Sequence, residues 1–221
     1  MISSIVFKKL YKIFFLLYPF SLERLILKEI NRYYNNLVDI GCGDGGFLYR
    51  IKKLQPEFNK TLLGFDIFFP AIIEAKKKKI YHNLIQGDIR NLPFKSNSFD
   101  CVLVSHAIEH IEKNKSYIEK LEALARYKII FITPNGYINN PDNTSLYQKH
   151  LSGWTIKDFE SLGYKIYGVG CRFVCGKWYK MGKIPLIIRP LFSLLSLFST
   201  CITYYAPYYA DHLICIKKKC P

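Results

Sequence analysis

Short apolar runs alternate with amphipathic segments along most of the chain. The apolar runs predict strands at 37–40, 61–66, 83–88, 99–105, 128–134, 164–170 and 212–218. Apolar residues at helical spacing predict helices at 45–54, 70–78, 116–126 and 155–163. Strands that alternate with helices form βαβ units around a mostly parallel sheet. The pattern therefore predicts an α/β protein.

The helix predicted at 155–163 has the most complete boundary signal. Thr155 can cap its first turn, Asp158 stands three residues further on, and Gly163 can end it. The residue types at both ends thus agree with the apolar spacing between them.

Two segments do not follow the alternation. The N-terminal apolar run at 13–18 is too short for a signal peptide, and no small-residue cleavage site follows it. We expect an amphipathic helix there that packs on the domain or lies on a membrane. The second segment, 171–211, contains a largely apolar stretch at 191–206, whereas a single membrane span needs about 20 apolar residues. We expect it to form helices that cover the sheet edge or dip into a membrane interface; the alternative is extra core or a contact with another subunit.

These patterns divide the chain into four parts. We predict an N-terminal helical segment at 1–36, a core domain at 37–170, an apolar insertion at 171–211, and a last strand with a short extension at 212–221. The chain has 221 residues, of which 50% are hydrophobic, so one globular core is expected.

Charge and cysteine content say less about the class of protein than the alternation of apolar and amphipathic segments does. The net charge of +15 fits binding to nucleic acid or to an anionic membrane, and it fits equally a lysine-rich composition with no partner. The seven cysteines include no Cys-x-x-Cys pair, which speaks against a zinc site. A reduced, cytoplasmic protein, with contact to a membrane surface left open, is the expectation.

The stretch "LVDIGCGDGGF" predicts a strand, a glycine turn and a helix. Its glycines fit the G-x-G-x-x-G pattern of NAD enzymes, but Asp39 stands two residues before Gly41. A carboxylate there would oppose an anionic pyrophosphate, whereas it suits the sulfonium and ammonium groups of S-adenosylmethionine. Asp39 therefore favours S-adenosylmethionine, the alternative being that it only ties down the turn through the turn's amides. Cys42 is interpreted as a small residue that tolerates the turn, not as a nucleophile.

Polar residues follow the ends of several predicted strands. Asp66, Asp88, Ser105 and His106 all come at or just after a strand end, where the ligands of parallel sheets bind. Asp66 is placed to accept hydrogen bonds from ribose hydroxyls. Asp88 can accept from an adenine amino group, with the Ile89 amide as a partner for a ring nitrogen, or it can cap a turn.

Five stretches in order carry a resemblance to a known family. They are "VDIGCGDGGF", "LLGFDI", "GDIRNLPFKSNSFDCVLVSHAIEHI", "IIFITPNG" and "HLSGWTIKDFESLGYKIYGVG", within 37–170. The chain resembles the class I S-adenosylmethionine-dependent methyltransferases. The resemblance implies a Rossmann-like three-layer sandwich, with a mostly parallel seven-stranded sheet and an antiparallel last strand. The segment 171–211 departs from the family's minimal pattern.

Residues and resemblance together give a predicted cofactor-binding set. Its members lie in the glycine turn or at strand ends: Asp39, Gly41, Cys42, Gly43, Asp66, Ile67, Asp88, Ile89 and Ser105.

The run "HAIEH" matches the His-x-x-Glu-His motif of some zinc proteases, and helical spacing would place both histidines on one face. It follows a strand end, however, and no third ligand is evident, so no metal is predicted. His106 could take a proton from a hydroxyl or amine acceptor, or it could simply pack at the rim. His110, His150 and Trp154 are candidates for the acceptor wall. Trp154 could equally be a hydrophobic staple beside Thr155.

The predicted function is methyl transfer from S-adenosylmethionine to a small-molecule, lipid or glycan acceptor, with membrane-surface contact through 1–20 and 184–206. One alternative is a nucleic-acid methyltransferase, but no Asn/Asp-Pro-Pro-aromatic motif follows the fourth strand, so nucleic acid is not the expected partner. The other is a non-catalytic cofactor-binding scaffold, against which the glycine turn and three rim acids argue. A dehydrogenase ranks behind both.

Overall fold

One seven-stranded sheet, in the order β3-β2-β1-β4-β5-β7-β6, forms the centre of the structure, which is a computed structural model. Strands β1 to β5 run parallel, and β7 runs antiparallel to both β5 and β6. The strands are β1 (Asn36–Ile40), β2 (Thr61–Asp66), β3 (Asn83–Gln86), β4 (Phe99–Ser105), β5 (Ala125–Pro134), β6 (Lys165–Val169) and β7 (His212–Lys218). The structure describes residues 19–30, 32–139, 146–171 and 189–219. The predicted α/β fold, with its mostly parallel sheet and antiparallel last strand, is confirmed.

Helices cover the two faces of this sheet. They are α1 (Leu22–Glu29), α2 (Gly46–Leu54), α3 (Phe69–Lys77), α4 (Lys115–Leu124), α5 (Ile156–Glu160) and α6 (Arg189–Tyr205). Short 3₁₀ helices lie at Ile108–His110, Leu146–Gln148 and Pro207–Tyr209. In the part of the chain described here, no helix is both long and apolar enough to cross a membrane.

The core consists of two apolar clusters, one on each face of the sheet. Neighbouring residues of a strand point to opposite faces, so Val102 joins the cluster beneath α4 and α5, whereas Leu103 joins the cluster beneath α1 and α2. Strands β1 and β4 are covered on both faces. This is why both read as continuous apolar runs in the sequence.

The predicted boundary signals of α5 are confirmed at both ends. The Thr155 side chain accepts from the Asp158 amide at 3.4 Å, and the Asp158 carboxylate accepts from the Thr155 amide at 2.8 Å, which is a capping box. The regular α-helix ends at Glu160, and Gly163 closes the following turn: it has a φ of +78°, and its amide donates to the Glu160 carbonyl at 3.0 Å.

The two atypical segments are described only in part. The helix predicted within 1–20 lies outside the described residues, apart from the last two positions, and so do residues 172–188 of the predicted insertion. The described part of the insertion includes α6, which packs beside β6. There the rings of Tyr204 and Tyr167 stack with centroids 4.5 Å apart.

Candidate functional site

The register of the sheet aligns the carboxyl ends of three strands, β1, β2 and β4. Ile40 pairs with Phe65 on one side and with Val104 on the other, so the next residues, Gly41, Asp66 and Ser105, leave the sheet side by side. A cavity of about 500 Å³ opens there. Of the predicted residues, nine line it: Gly41, Gly43, Asp66, Ile67, Asp88, Ile89, Ser105, His106 and His110.

The glycine turn can adopt its path only without side chains at two positions. Gly41 has a φ of +74°, and a Cβ atom there would stand 2.5 Å from the Cβ of Ala107. Gly43 has a φ of +52°, but an added Cβ would meet no protein atom within 4 Å. The first glycine is thus required by packing, whereas the second borders open space in the cavity.

The Asp66 carboxylate connects the turn to the end of β2. It accepts hydrogen bonds from the Gly43 amide at 2.7 Å and from the Phe68 amide at 2.8 Å. The amides of Gly41 and Cys42 donate instead to the Phe65 carbonyl, at 2.8 and 3.2 Å. Asp66 is therefore held in place at the cavity by the backbone of both neighbouring segments.

Asp39 does not reach the cavity, which corrects the expectation of direct contact with a cofactor. Its carboxyl group is buried beneath the turn and accepts a 2.6 Å hydrogen bond from the Tyr81 hydroxyl. Burial raises the pKa of Asp39 to about 7, and the nearby charge of Asp66 adds to the shift, although the Tyr81 hydrogen bond opposes it. The amides of the turn have other acceptors, so tying down the turn directly is not its role either.

Cys42 also lies beneath the turn rather than at the cavity. Its side chain is buried, and its Sγ lies 3.8 Å from the Gly43 carbonyl oxygen. Burial raises the pKa of the thiol above its usual value. The structure therefore corrects its predicted place among the cofactor contacts, and a high thiol pKa disfavours a nucleophilic role.

Asp88 forms an ion pair at the rim. Its carboxylate oxygens both lie 2.9 Å from Nε of Arg90, and one oxygen also accepts from the Arg90 amide at 2.8 Å. The hydrogen bond from the Arg90 side chain is the main reason that the pKa of Asp88 is lowered. The turn-capping alternative is thus present in the structure, and Asp88 and Ile89 still line the cavity.

His106 has an unusual backbone at the rim. Its φ is +51°, in the left-handed region that non-glycine residues rarely occupy, and its amide donates to the Ile132 carbonyl at 2.8 Å. Its Nδ1 lies 3.1 Å from an oxygen of Glu109, whose side chain is 2% exposed. Burial acts to raise the pKa of Glu109, but the hydrogen bond and charge of His106 outweigh it, and the pKa is lowered. Because the Glu109 carboxylate accepts a hydrogen bond from Nδ1–H, Nε2 is the ring nitrogen of His106 that can take up a proton.

The expectation that both histidines of "HAIEH" share one helical face is wrong. Only Ile108–His110 is helical, as a 3₁₀ turn, because the left-handed backbone at His106 directs the chain away from an α-helix. His110 instead meets His150, with ring centroids 4.9 Å apart. His150 is half-buried behind His110 and does not line the cavity.

Trp154 is not part of an acceptor wall. Its side chain is fully buried, and its indole N–H donates to the Ile108 carbonyl at 3.3 Å. Its ring packs against Phe159, with centroids 5.8 Å apart. This contact joins the residue before the cap to the fourth residue of α5, which is the staple alternative.

Sequence reasoning missed most of the apolar wall. Phe65, Phe68, Tyr117 and Tyr147 all line the cavity. The first two flank Asp66 in "GFDIFF", so their proximity was visible in the sequence. The two tyrosines come from distant segments, and no local pattern marks them.

Comparison with known proteins identifies the type of domain. Residues 38–128 match the family model described as a methyltransferase domain. Residues 38–128 therefore carry a methyltransferase domain. For this part of the chain, the match confirms the resemblance drawn from the sequence.

Two relatives each match part of the chain. An uncharacterised protein of Methanocaldococcus jannaschii is 30% identical over 149 residues, which are 64% of this chain and 60% of that protein. Norajmaline N-methyltransferase of Rauvolfia serpentina is 31% identical over 100 residues, which are 41% of this chain and 32% of that enzyme. The chain thus spans less than two thirds of either relative.

A solved structure matches nearly the whole chain. The plantazolicin methyltransferase in complex with S-adenosylhomocysteine superposes with a TM-score of 0.58, covering 97% of this chain and 89% of that one. The two sequences are 21% identical, so the likeness supports the shared fold.

Proposed function

We propose that the protein transfers a methyl group from S-adenosylmethionine to a small-molecule acceptor bound in the same cavity. The observation that carries this proposal is the charge at the edge of the glycine turn. The Asp66 carboxylate lies there and accepts from the Gly43 amide at 2.7 Å. Among the described residues that line the cavity, Arg90 is the one lysine or arginine, and it is paired with Asp88. Such a site favours a cationic cofactor over an anionic pyrophosphate.

The cavity is large enough for a cofactor of this size. Its volume of about 500 Å³ lies within the range of small-molecule sites. The open space at Gly43 allows a ligand to approach the backbone closely. When bound, S-adenosylmethionine would supply a methyl group on a positively charged sulfur; the acceptor nucleophile bonds to the methyl carbon as the carbon–sulfur bond breaks, and S-adenosylhomocysteine leaves.

Several residues of this chain support binding of its nucleoside part. The Asp66 carboxylate, held by two amides, keeps unused lone pairs that can accept from ribose hydroxyls. We propose that Asp88 and the Ile89 amide recognise the adenine, since both residues line the cavity. The aromatic wall with Phe68 and Tyr117 adds apolar surface that excludes water.

We propose that His106 takes a proton from the group that is methylated. Glu109 holds the imidazole by its Nδ1, so that Nε2 can take a proton from a hydroxyl or a protonated amine. Glu109 is a positioning residue in this arrangement, since it acts through His106.

Calorimetric titration with S-adenosylmethionine and with NAD tests the cofactor. We expect the wild type to bind the former and not the latter. Gly43→Ala should weaken binding at least tenfold, because the added methyl group occupies space beside the cavity. Gly163→Ala is the matched control, since that glycine has a similar φ of +78° and equally open surroundings but does not line the cavity. Equal affinities of the two variants, or binding of NAD, would contradict the proposal.

A specific surface favours an acceptor at a membrane, such as a lipid or a lipid-linked sugar. Leu195, Phe198, Ile202 and Tyr205 lie along one side of α6, and between 47% and 77% of each is exposed. The net charge of +15 adds attraction to anionic lipids. We include membrane-surface contact through this stripe in the proposed function.

Co-sedimentation with vesicles that contain anionic lipid tests this contact. The double variant Phe198→Ser, Ile202→Ser should remain in the supernatant, whereas the wild type should sediment. Tyr33→Ser is the control, because it removes an exposed aromatic ring outside α6. No sedimentation of the wild type would refute the membrane contact, and salt-sensitive binding to RNA would favour the nucleic-acid alternative.

A further inference from the structure

Three side chains with metal-binding atoms lie together beside the cavity. A carboxylate oxygen of Glu109 and ring nitrogens of His110 and His150 all lie within 4.8 Å of one another. Glu109 and His110 follow β4, whereas His150 comes from the segment before α5. The cluster is therefore a product of the tertiary fold.

The hydrogen bonds of both histidines leave one ring nitrogen of each available. Nδ1 of His110 lies 3.1 Å from the Lys149 carbonyl oxygen, and Nδ1 of His150 lies 2.7 Å from the Ile138 carbonyl oxygen. A carbonyl oxygen can only accept, so each Nδ1 carries the hydrogen and each Nε2 keeps its lone pair. Histidines that bind metals usually donate their other ring N–H in this way.

The Glu109 carboxylate is held by hydrogen bonds that leave room for a metal ion. One oxygen faces Nδ1 of His106 at 3.1 Å, and the other accepts from the Thr133 hydroxyl at 3.4 Å. Each oxygen keeps a further lone pair.

The backbone holds the two segments in register. The amides of Leu151 and Ser152 donate to the Glu109 carbonyl at 2.8 and 3.1 Å. The Ser152 hydroxyl and the Trp154 indole donate to the Ile108 carbonyl at 3.0 and 3.3 Å. These four hydrogen bonds fix His150 against His110 without a metal, so the donor set is pre-organised.

We propose that Glu109, His110 and His150 form a binding site for one divalent transition-metal ion. Two imidazoles and one carboxylate are a donor set for zinc or iron(II), with at least one coordination position left open. The sequence predicted no metal because His150, the third ligand, lies far along the chain. His110 also lines the cavity, so the ion would border the space proposed for the acceptor.

Metal titration of the 221-residue chain tests this site in the absence of any cofactor. After chelator treatment, we expect one Zn²⁺ per chain by calorimetry. Co²⁺ should produce d–d absorption without the thiolate charge-transfer band of a cysteine site. His150→Ala and His110→Ala should each weaken Zn²⁺ binding about 100-fold or more, since even loss of an outer-shell partner costs 10–100-fold.

His82→Asn is the matched control, because it removes an exposed histidine and keeps an acceptor for the Leu62 amide, which donates to Nδ1 of His82. Unchanged Zn²⁺ affinity in both cluster variants, or a thiolate band with Co²⁺, would overturn the proposal. S-adenosylmethionine binding by the His150→Ala variant is measured in parallel. Loss of metal with retention of the cofactor separates this site from the proposed function.

Discussion

The hydroxyl of Tyr81 donates a 2.6 Å hydrogen bond to the carboxyl group of Asp39 beneath the glycine turn. The tyrosine ring also fills the space beside two glycines. A Cβ at Gly45 would stand 2.7 Å from the ring, and a Cβ at Gly64 would stand 3.2 Å from it. One side chain thus supports the turn from below and partners its buried acid.

Asp39→Asn should change how stability depends on pH. The pKa of Asp39 is about 7 in the folded protein and 3.8 for the free side chain, so the folded state holds a proton that the unfolded chain has released between these values. The free energy of unfolding should therefore fall as pH rises through this window and level off above it. Without the ionisable group, the slope should be flatter by about 1 kcal/mol per pH unit.

Urea denaturation between about pH 5 and pH 8 measures this slope. Tyr81→Phe is the comparison variant, because it removes only the hydroxyl that favours the ionised acid. The free energy of unfolding of Tyr81→Phe should fall with pH as steeply as that of the wild type, or more steeply near pH 8. The lost hydrogen bond should also lower the stability by about 1 kcal/mol. Identical slopes for the wild type and Asp39→Asn would contradict the buried, protonated acid.

Gly41→Ala should destabilise the fold through one contact. The new Cβ would meet the Cβ of Ala107 at 2.5 Å, and the φ of +74° strains any side chain. We expect a loss of roughly 2 kcal/mol or more in the free energy of unfolding. The double variant Gly41→Ala, Ala107→Gly should recover part of this loss, since it removes the clash. A purely additive double variant would exclude the contact as the cause.

His106→Asn should slow methyl transfer without loss of cofactor binding. Asparagine tolerates the left-handed backbone at this position but cannot act as the base. Turnover, measured as release of S-adenosylhomocysteine with a pool of small-molecule acceptors, should fall about 10²–10⁴-fold. His82→Asn should leave turnover unchanged. Full activity of His106→Asn would show that the acceptor needs no proton acceptor here.

Gly153→Ala should disturb the segment that carries His150. A Cβ at Gly153 would stand 2.2 Å from the backbone nitrogen of Tyr137, a contact that only a backbone shift can relieve. We expect a loss of about 2 kcal/mol in stability, against about 1 kcal/mol for Gly163→Ala, which meets no neighbour. Equal losses of stability in the two variants would show that the backbone around Gly153 shifts to accommodate the methyl group at no further cost.

The sequence by itself determined the order of elements and much of the cavity edge. The strands at 61–66, 99–105 and 212–218 have the predicted bounds, and Asp66 and Ser105 lie where their strand ends placed them. Burial on both faces produces a continuous apolar run that ends where the strand leaves the sheet. This relation is local, so it can be read from the chain alone.

Only the tertiary structure decided which side chains meet. The burial of Asp39 against Tyr81, the contact of His110 with His150, and the buried position of Trp154 each join segments that are distant in the sequence. The spacing of apolar residues along the chain does not predict such contacts, because they depend on sheet register and on how loops pack over one another. For the same reason, the proposed metal ligands of this domain come together only in the folded chain.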